Sequence, residues 1–513
     1  MKKAFKMIFI YLGVILLALI ATIVFCGAFL FFYREGNIFG IQYISTKEVI
    51  YARDDVDMSD LQKIELNGGD FDIKITANPN VTKLIGAMNN RVFGYAKKSK
   101  AQASFDLKYN RANKTAIFTA VEPQGWLNKS KAFIEIAIPE NLASGCDIVV
   151  KSNKADIIIG GEEDLNIRIL TVESSKGDIK LKNTTITNAL IATVGKGDLL
   201  VDEFCKTEAG GIDAQISVES GKINLTKFNY EQFVLDVVEI KKIKTGKIGI
   251  LKANELKTEG NISGGGKIEI GTVGLVYFKS VDTDIVIGDI NSSIATTNIA
   301  LSGNGSVWID KTESETIIEG NNGDVYINMA LNVVQASTNH GDIKIEQAIK
   351  SIGVDTGYGD INIKFSSDED NYGASSGNRW VQAFTKNGHI IVSGLQCGRI
   401  EATDSGRISL EYNKVVGENF VSAKRGLVDI IVPCPPNTIT NEYAFNLKVQ
   451  SDVNCDIKVG VVGTLGYEYK VDYTGGSEEF LNIYNSGTST ANTLNVTSST
   501  GRIKIRSSDQ IGF

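Results

Sequence analysis

The chain has 513 residues, a formal net charge of −7, and 51 glycines against 6 prolines. Acidic and basic residues are interspersed, so the sequence has no basic stripe of the kind that binds nucleic acid, and we expect no nucleic-acid partner. Many glycines with few prolines, together with abundant Ile, Val, Asn, Ser and Thr, favour strands joined by tight polar turns, which predicts an all-β protein.

The N-terminal segment predicts one transmembrane helix. Residues 7–33 are almost entirely apolar and carry no charge, Lys2, Lys3 and Lys6 precede them, and Arg34 follows. At about 1.5 Å per residue the run reaches about 40 Å, enough to cross a hydrocarbon core of about 30 Å. It exceeds the apolar part of a secretory signal, and no small-x-small cleavage pattern follows it. We therefore expect a signal-anchor in the lipid bilayer of the cell membrane, with the N-terminus cytoplasmic and the rest extracytoplasmic.

Patterning divides the chain further. Residues 1–35 hold the predicted cytoplasmic stub and transmembrane helix, and residues 36–59 are aperiodic, which indicates a juxtamembrane connector. Period-two alternation in residues 60–145 predicts a strand-rich N-terminal cap. Residues 146–432 form the predicted β-solenoid. Residues 433–513 form a strand-rich C-terminal capping module, since an open end of a stack presents unpaired backbone to other chains.

A short motif recurs through the solenoid region. It reads GDVYI at 323–327, GDIKI at 341–345 and GDINI at 359–363, so successive copies are 18 residues apart. In each copy a glycine makes a turn, a polar residue follows, and two apolar residues flank an outward one. A fixed short period of such strands is typical of a solenoid, whose coils bury their apolar faces by stacking. The predicted fold is a single-stranded β-helix, or β-solenoid, of Gly-[Asp/Lys]-Ile-x-Ile repeats.

The polar residue after each repeat glycine is expected to stack on its equivalents at about 4.8 Å. The resulting columns are acidic at Asp324, Asp342 and Asp360, and basic at Lys222, Lys247 and Lys267. One carboxylate per coil offers too few oxygens for the roughly six to eight ligands that Ca²⁺ takes. The aspartates are therefore interpreted as turn residues, and no metal or cofactor is predicted.

No motif indicates catalysis. His340 and His389 each adjoin a repeat glycine, but two or three coils separate them, too far for a shared site. Residues 373–377 match G-x-S-x-G, yet they lie in a polar insertion without the flanking strand and helix of a nucleophile elbow. The cysteines include no CxxC and are interpreted as packing residues. We expect no catalytic residues and no enzymatic activity.

The longest break in the period is the insertion at 366–379. At its edge lie Tyr372, Arg379 and Trp380, residue types that are enriched in binding hot spots. They define a candidate contact loop. The alternative is that Trp380 merely begins the next strand.

These repeats resemble DUF4097-type bacterial β-strand-repeat proteins, a family of proposed adhesins. The resemblance rests on the Gly-Asp/Lys-Ile-x-Ile repeats and on strands that lead into Pro-x-Asn at 134–141 and 429–437. It covers about residues 60–510. It implies a β-helix-like fold at the cell surface or beneath the envelope, and it supplies no established catalytic residues.

The leading hypothesis is a membrane-anchored extracytoplasmic solenoid that acts as a non-catalytic adhesin or envelope scaffold and binds a cell-wall glycan or a surface protein. Two alternatives remain. One is a polysaccharide-binding or polysaccharide-cleaving β-helix protein at the cell surface. The other is a cytoplasmic, polymer-forming solenoid tethered to the membrane.

Overall fold

The structure is a computed structural model, and the chain is an all-β solenoid with one N-terminal helix, as the repeats predict. It divides into two compact units, Met1–Glu208 and Ala209–Phe513. The structure describes residues 2–33, 41–51, 58–95, 104–121, 133–139, 145–208, 211–225, 233–258, 262–366, 379–433, 443–453, 455–459, 469–473, 478–483 and 491–508.

The first unit contains α1 (Lys2–Tyr33), a 3₁₀ turn (Met58–Asp60) and twelve of the described strands. Its strands are β1 (Ile41–Tyr51), β2 (Lys63–Asn67), β3 (Asp72–Asn78), β4 (Ile85–Tyr95), β5 (Ser104–Asn110), β6 (Thr115–Val121), β7 (Phe133–Pro139), β8 (Cys146–Ser152), β9 (Ile157–Lys176), β10 (Ile179–Lys196), β11 (Asp198–Val201) and β12 (Lys206–Thr207). Among the described residues, no helix combines the length and the apolar character needed to cross a membrane.

Parallel and antiparallel pairing coexist in the first unit. The long strands β9 and β10 run parallel to each other, with Ile157 beside Ile179 and Val172 beside Ala192. Earlier in the chain, β2 lies between β6 and β8, and β3 between β7 and β9, all parallel. Strands β1, β4 and β7 pair antiparallel, as do β5 and β6. The regular coils therefore begin from a mixed sheet in which hairpin-like pairing precedes parallel stacking.

The second unit contains the remaining described strands. They are β13 (Ile212–Val218), β14 (Lys222–Leu225), β15 (Leu235–Ile243), β16 (Lys247–Thr258), β17 (Lys267–Ser280), β18 (Asp284–Ile290), β19 (Thr296–Leu301), β20 (Val307–Thr312), β21 (Glu315–Glu319), β22 (Val325–Ala330), β23 (Val334–His340), β24 (Ile343–Ala348), β25 (Ile352–Tyr358), β26 (Ile361–Phe365), β27 (Trp380–Asn387), β28 (Ile390–Leu395), β29 (Cys397–Ser405), β30 (Ile408–Tyr412), β31 (Glu418–Ala423), β32 (Val428–Val432), β33 (Phe445–Ser451), β34 (Cys455–Val459), β35 (Tyr469–Tyr473), β36 (Glu478–Ile483), β37 (Thr493–Ser498) and β38 (Ile503–Ser507).

From β18 onward these strands form two parallel stacks. The A stack begins with β18, which follows Thr283, and continues with the strands that follow the glycine turns: β20, β22, β24, β26, β28, β30 and β32. The B stack contains the strands that precede those turns: β19, β21, β23, β25, β27, β29 and β31. We call one B strand, its glycine turn and the following A strand a rung. The longer β16 and β17 contribute to both stacks.

Each repeat supplies two aliphatic residues to the core of the A stack. Ile343 lies in register with Val325 on one side and with Ile361 on the other, and Ile345 lies in register with Ile327 and Ile363 on its two sides. All of these side chains are essentially inaccessible to solvent. The alternation of the motif thus becomes two continuous apolar columns, and their burial is the main stabilising contribution of each added rung.

The glycine of the repeat is required chiefly by close stacking of the turns. A Cβ at Gly341 would overlap the carbonyl oxygen of Gly323, one rung earlier, and a Cβ at Gly359 would overlap that of Gly341. The obstructing atoms belong to the backbone, so no change of rotamer relieves the clash. The motif therefore needs glycine even at rungs where the backbone conformation alone would accept another residue.

The end of the chain does not stack in sequence order. Strands β37 and β38 pair directly with β31 and β32. Strands β33 and β34, although earlier in the sequence, pair with the far sides of β37 and β38. Antiparallel strands β36 and β35 then follow on β33 and β34. The repeat at Gly501 accordingly continues the glycine column next to Gly426.

Candidate functional site

The outward residues of four successive B-stack strands form a continuous surface. Side chains alternate between the two faces of a strand, so outward positions recur every second residue. On β23, Gln335 lies between Ile317 of β21 and Gly353 of β25. On the other side of Gly353 the next outward residue is Gln382 of β27. The insertion between β26 and β27 does not interrupt this register.

A groove of about 420 Å³ crosses this surface at Gly353. It opens there because Gly353 has no side chain and its outward neighbours Ser337 and Ser351 are small. A Cβ at Gly353 would have Gln335 Cγ at 3.9 Å as its nearest neighbour, which is ordinary contact. The fold therefore does not demand glycine here, in contrast to the turn positions. The size falls in the range of roughly 300–1,000 Å³ that is usual for ligand sites.

One wall of the groove is aromatic. Trp380, the first residue of β27, is 39% exposed, and Phe384 lies four residues further along the same face. The Arg399 guanidinium carbon lies 5.8 Å from the centre of the Phe384 ring. Arg399 also pairs with Glu401, Nη2 to Oε2 at 3.6 Å. Phe384 is thus covered in part by its neighbour, whereas Trp380 presents ring surface to the groove.

The charged residues in the groove lining are both acidic. Glu319 and Asp355 lie on either side of Ser337 in register, so two strand spacings, or about 10 Å, separate them. Both side chains are exposed at the surface. Partial desolvation raises the pKa of Asp355 above its ordinary value. The groove therefore combines carboxylates, the amides of Gln335 and Gln382, and aromatic surface without a cation among its lining residues.

The three residues of the predicted contact loop have different surroundings. Tyr372 lies outside the described residues, as does the G-x-S-x-G sequence at 373–377. Arg379 is only 6% exposed, and its guanidinium carbon lies 5.8 Å from the centre of the Phe365 ring. Trp380 begins β27, as the alternative interpretation has it, and it also lines the groove. Of the three, Trp380 is therefore the residue that the described structure brings to a ligand-sized site.

The predicted acidic column forms a ladder of hydrogen bonds along the turns. The backbone N–H of Asp342 donates to Oδ1 of Asp324 at 2.9 Å, and that of Asp360 donates to Oδ1 of Asp342 at 2.8 Å. Continuing the column, His389 N–H donates to Asp360 Oδ1 at 2.7 Å. Each carboxylate thus satisfies a backbone donor of the next rung, which is the structural role expected of a turn aspartate.

The two histidines take part in separate turn contacts. His389 Nδ1 accepts a hydrogen bond from the Arg407 backbone N–H at 3.0 Å, so the imidazole replaces an aspartate in the ladder. The His340 ring stacks on Tyr358, with centroids 4.8 Å apart and planes 9° apart, and its Nδ1 lies 3.1 Å from Asn322 Oδ1. The imidazoles do not contact each other.

Comparison with known proteins finds one family model that matches part of the chain. Residues 61–298 match the Toastrack DUF4097 family. The resemblance drawn from the repeats is confirmed over this Toastrack segment. No curated protein matches the chain. A crystal structure of a "putative cell adhesion protein" from Clostridium sporogenes aligns with 90% of this chain and 100% of its own, at 9% identity and a TM-score of 0.14.

The predicted basic column lies within the Toastrack segment. Lys222 lies in register with Lys247, and Lys247 with Lys267. The Glu269 carboxylate forms ion pairs with Lys247 and, at 3.1 Å, with Lys267. Hydrogen bonding from Lys247 is the main cause that lowers the pKa of Glu269. The positive charge of the column is therefore neutralised in part by a carboxylate on the same face. The groove at Gly353 lies outside the Toastrack segment, further along the chain.

The groove residues other than Trp380 were not singled out by the sequence pattern. One signal is present: Gly353 is an isolated glycine between Ile352 and Val354 in a strand pattern, which often marks close approach of a ligand or backbone. Asp355 and Gln335 carry no such signal, because outward polar residues are ordinary on a strand. Within the described ranges, no three His, Cys, Asp or Glu side chains are grouped closely enough to hold a metal ion.

Proposed function

We propose that the protein is a non-catalytic adhesin or envelope scaffold that holds its partner on the outward face of the B stack. The observation that carries this proposal is the groove at Gly353, an open depression with an exposed Trp380 at one wall. Exposed aromatic residues in a surface groove are typical of binding sites. A rigid scaffold of stacked rungs positions such a site without a hinge or lid.

The proposed anchor is the N-terminal helix. Its described apolar side chains are exposed, with Leu17 70% and Phe25 74% accessible. The sequence carries no charge from Met7 to Tyr33. Apolar surface of this extent is unfavourable in water and favourable in lipid. These features support a single-pass anchor, and Lys2, Lys3 and Lys6 ahead of it favour a cytoplasmic N-terminus with the strands outside.

Protease accessibility on intact spheroplasts tests this arrangement. If the strands lie outside, added protease removes epitopes placed beyond residue 60 while a cytoplasmic control protein survives. Protection of those epitopes until the membrane is lysed would contradict the outside orientation and favour the tethered cytoplasmic solenoid. Adhesion of cells that express the wild-type chain, compared with Trp380→Ala, then tests the binding face. Trp308→Ala is the matched control, since Trp308 is 52% exposed on the A stack.

A second candidate is a polysaccharide-cleaving β-helix. Glu319 and Asp355 favour it, because they lie on one face at backbone positions about 10 Å apart, and the two carboxyl groups of an inverting glycosidase lie roughly 6.5–9.5 Å apart. Incubation of the purified chain with polysaccharides distinguishes the candidates. New reducing ends or unsaturated sugars that disappear in Asp355→Asn would establish cleavage, whereas binding without products supports the adhesin.

A further inference from the structure

We infer that the groove at Gly353 binds a neutral glycan segment, with a sugar ring against Trp380 and hydroxyl groups on Gln335, Gln382 and Asp355. This assignment deepens the proposed function by naming the partner class for the same face, and it rests on that function for its cellular meaning. The groove spans β21 to β27, three strand spacings or about 14 Å, which suits a short oligosaccharide lying across the rungs.

The donors and acceptors of the groove favour a polyhydroxyl ligand. Gln335 and Gln382 each offer amide N–H donors and a carbonyl acceptor, Ser337 and Ser351 offer hydroxyls, and Asp355 offers acceptors only. A hydroxyl group both donates and accepts, so a sugar uses every one of these groups. An ammonium or guanidinium group has no acceptor and leaves the amide donors unused. The inventory therefore favours a glycan over a basic protein side chain.

The charges of the groove exclude acidic glycans. Glu319 and Asp355 are the charged residues of its lining, and both are acidic. Sulfated or uronic-acid sugars would bring like charge to these carboxylates, and Arg399, the cation beside Gln382, is already paired with Glu401. The Asp355 carboxylate, whose charged form is already disfavoured by desolvation, gains from hydroxyl donors. A neutral sugar is consistent with both observations.

The aromatic wall supplies the apolar contact that a sugar ring needs. One face of a pyranose ring presents C–H groups, and the exposed indole of Trp380 offers a flat, weakly negative surface to receive them. Phe384 is unsuited to this role because Arg399 already lies over its ring. Gly353 lines the same groove as Trp380 and leaves space in it, which a longer side chain would occupy.

The test uses the purified full-length chain in detergent and an array of neutral oligosaccharides built from glucose, galactose, mannose and N-acetylglucosamine, with heparin and hyaluronan fragments and a lysine-rich peptide alongside. We expect binding to at least one neutral oligosaccharide. Trp380→Ala should weaken it about tenfold, and Gly353→Leu should abolish it. Glu411→Gln, an exposed strand carboxylate on the A stack, is the matched control and should leave it unchanged.

Gln335→Glu separates a glycan from a cation. The exchange keeps the size of the side chain, removes two N–H donors and adds a negative charge. It should weaken binding of a neutral oligosaccharide, whereas it would strengthen binding of the lysine-rich peptide. Absence of binding across the neutral panel, stronger binding to heparin or the peptide, or insensitivity to Gly353→Leu would each overturn the assignment.

Binding by the purified chain does not depend on where the chain lies in the cell. Protection of the strands in spheroplasts would therefore contradict the proposed function and leave the glycan result intact. Adhesion to a protein surface without glycan binding would support the proposed function and contradict the glycan assignment. Hydrogen exchange over β23, β25 and β27 verifies that Gly353→Leu and Trp380→Ala remain folded.

Discussion

Oδ1 of Asp342 accepts a hydrogen bond at 2.8 Å from the backbone N–H of Asp360, the equivalent residue one rung later. Asp342 in turn donates its own N–H to Asp324. The most conspicuous acidic residues of the repeat thus serve the backbone of their neighbours. This accounts for a polar acceptor directly after the glycine, where the stacked turns would otherwise leave an N–H unpaired.

Removal of one ladder acceptor should loosen the next turn. Asp342→Ala leaves the Asp360 N–H without its partner, at an expected cost of about 1 kcal/mol. Asp342→Asn retains Oδ1 and should cost much less. Hydrogen exchange of the Asp360 amide measures the effect. Equal loss of protection in the Asn and Ala variants would contradict the assignment of Oδ1 as the acceptor.

Substitution by alanine should affect stability very differently at two glycines on neighbouring rungs. Gly341→Ala places a Cβ against the Gly323 carbonyl oxygen and should destabilise the fold by about 1–3 kcal/mol. Gly353→Ala meets only ordinary contacts and should change the free energy of unfolding by less than about 0.5 kcal/mol. Urea unfolding of the full chain in detergent, followed by circular dichroism, compares them. Similar shifts for both would refute the stacking argument.

Adjacent isoleucines provide a matched pair for the core. Ile390 is fully buried in register with Ile361 and Ile408, whereas Ile391 is 44% exposed. We expect Ile390→Ala to cost about 2–5 kcal/mol, and Ile391→Ala to be close to neutral. Pulse proteolysis in a urea series reports the difference. A large loss of stability in Ile391→Ala would contradict the exposure of the outward face of β28.

The imidazole of His389 should be replaceable by a carboxylate. His389 Nδ1 accepts the Arg407 N–H at 3.0 Å, in the position that Asp342 and Asp360 hold on earlier rungs. His389→Ala should cost about 1 kcal/mol, and His389→Asp should recover most of it. Exchange of the Arg407 amide distinguishes the variants. If aspartate did not restore protection of the Arg407 amide from exchange, the role of His389 as its hydrogen-bond acceptor would be contradicted.

Cys146 should resist alkylation in the folded chain. Burial raises the pKa of its thiol from an ordinary 9.0 to about 12, so almost no thiolate forms at pH 8. Because the folded-state pKa is the higher one, its contribution to stability is complete below pH 9 and is lost as the pH rises toward 12. Iodoacetamide labelling with and without urea, read by mass spectrometry, tests this. Rapid labelling of Cys146 without urea would contradict its burial.

The coils were predictable from sequence because their cause is local. Two aliphatic residues around an outward one, repeated after a glycine, specify a buried face and a turn wherever they occur, and Ile343 and Ile345 lie where that pattern places them. The groove was not predictable to the same degree. Gly353 and Gln382 are neighbours because β27 pairs in register with β25, although the insertion at 366–379 separates the two strands in sequence. Sequence spacing alone does not reveal which outward residues become neighbours.

The order of the last strands illustrates a second limit. The motif at Gly501 resembles any other repeat, and nothing in it indicates that its strand β38 lies between β32 and β34, with Gly501 next to Gly426. Pairing partners far apart in sequence are selected by the whole sheet. Local patterning identifies such strands and leaves their order open.

This arrangement has a consequence for biosynthesis. Strands β31 and β32 receive their neighbours β37 and β38 only after the ribosome has also made the strands between them, while β33 and β34 emerge earlier and belong further out. Until then the edge of β31 and β32 is open to other chains or to premature pairing. A product truncated before residue 491 would keep that edge exposed, so synthesis of β37 and β38 is the step that covers β31 and β32.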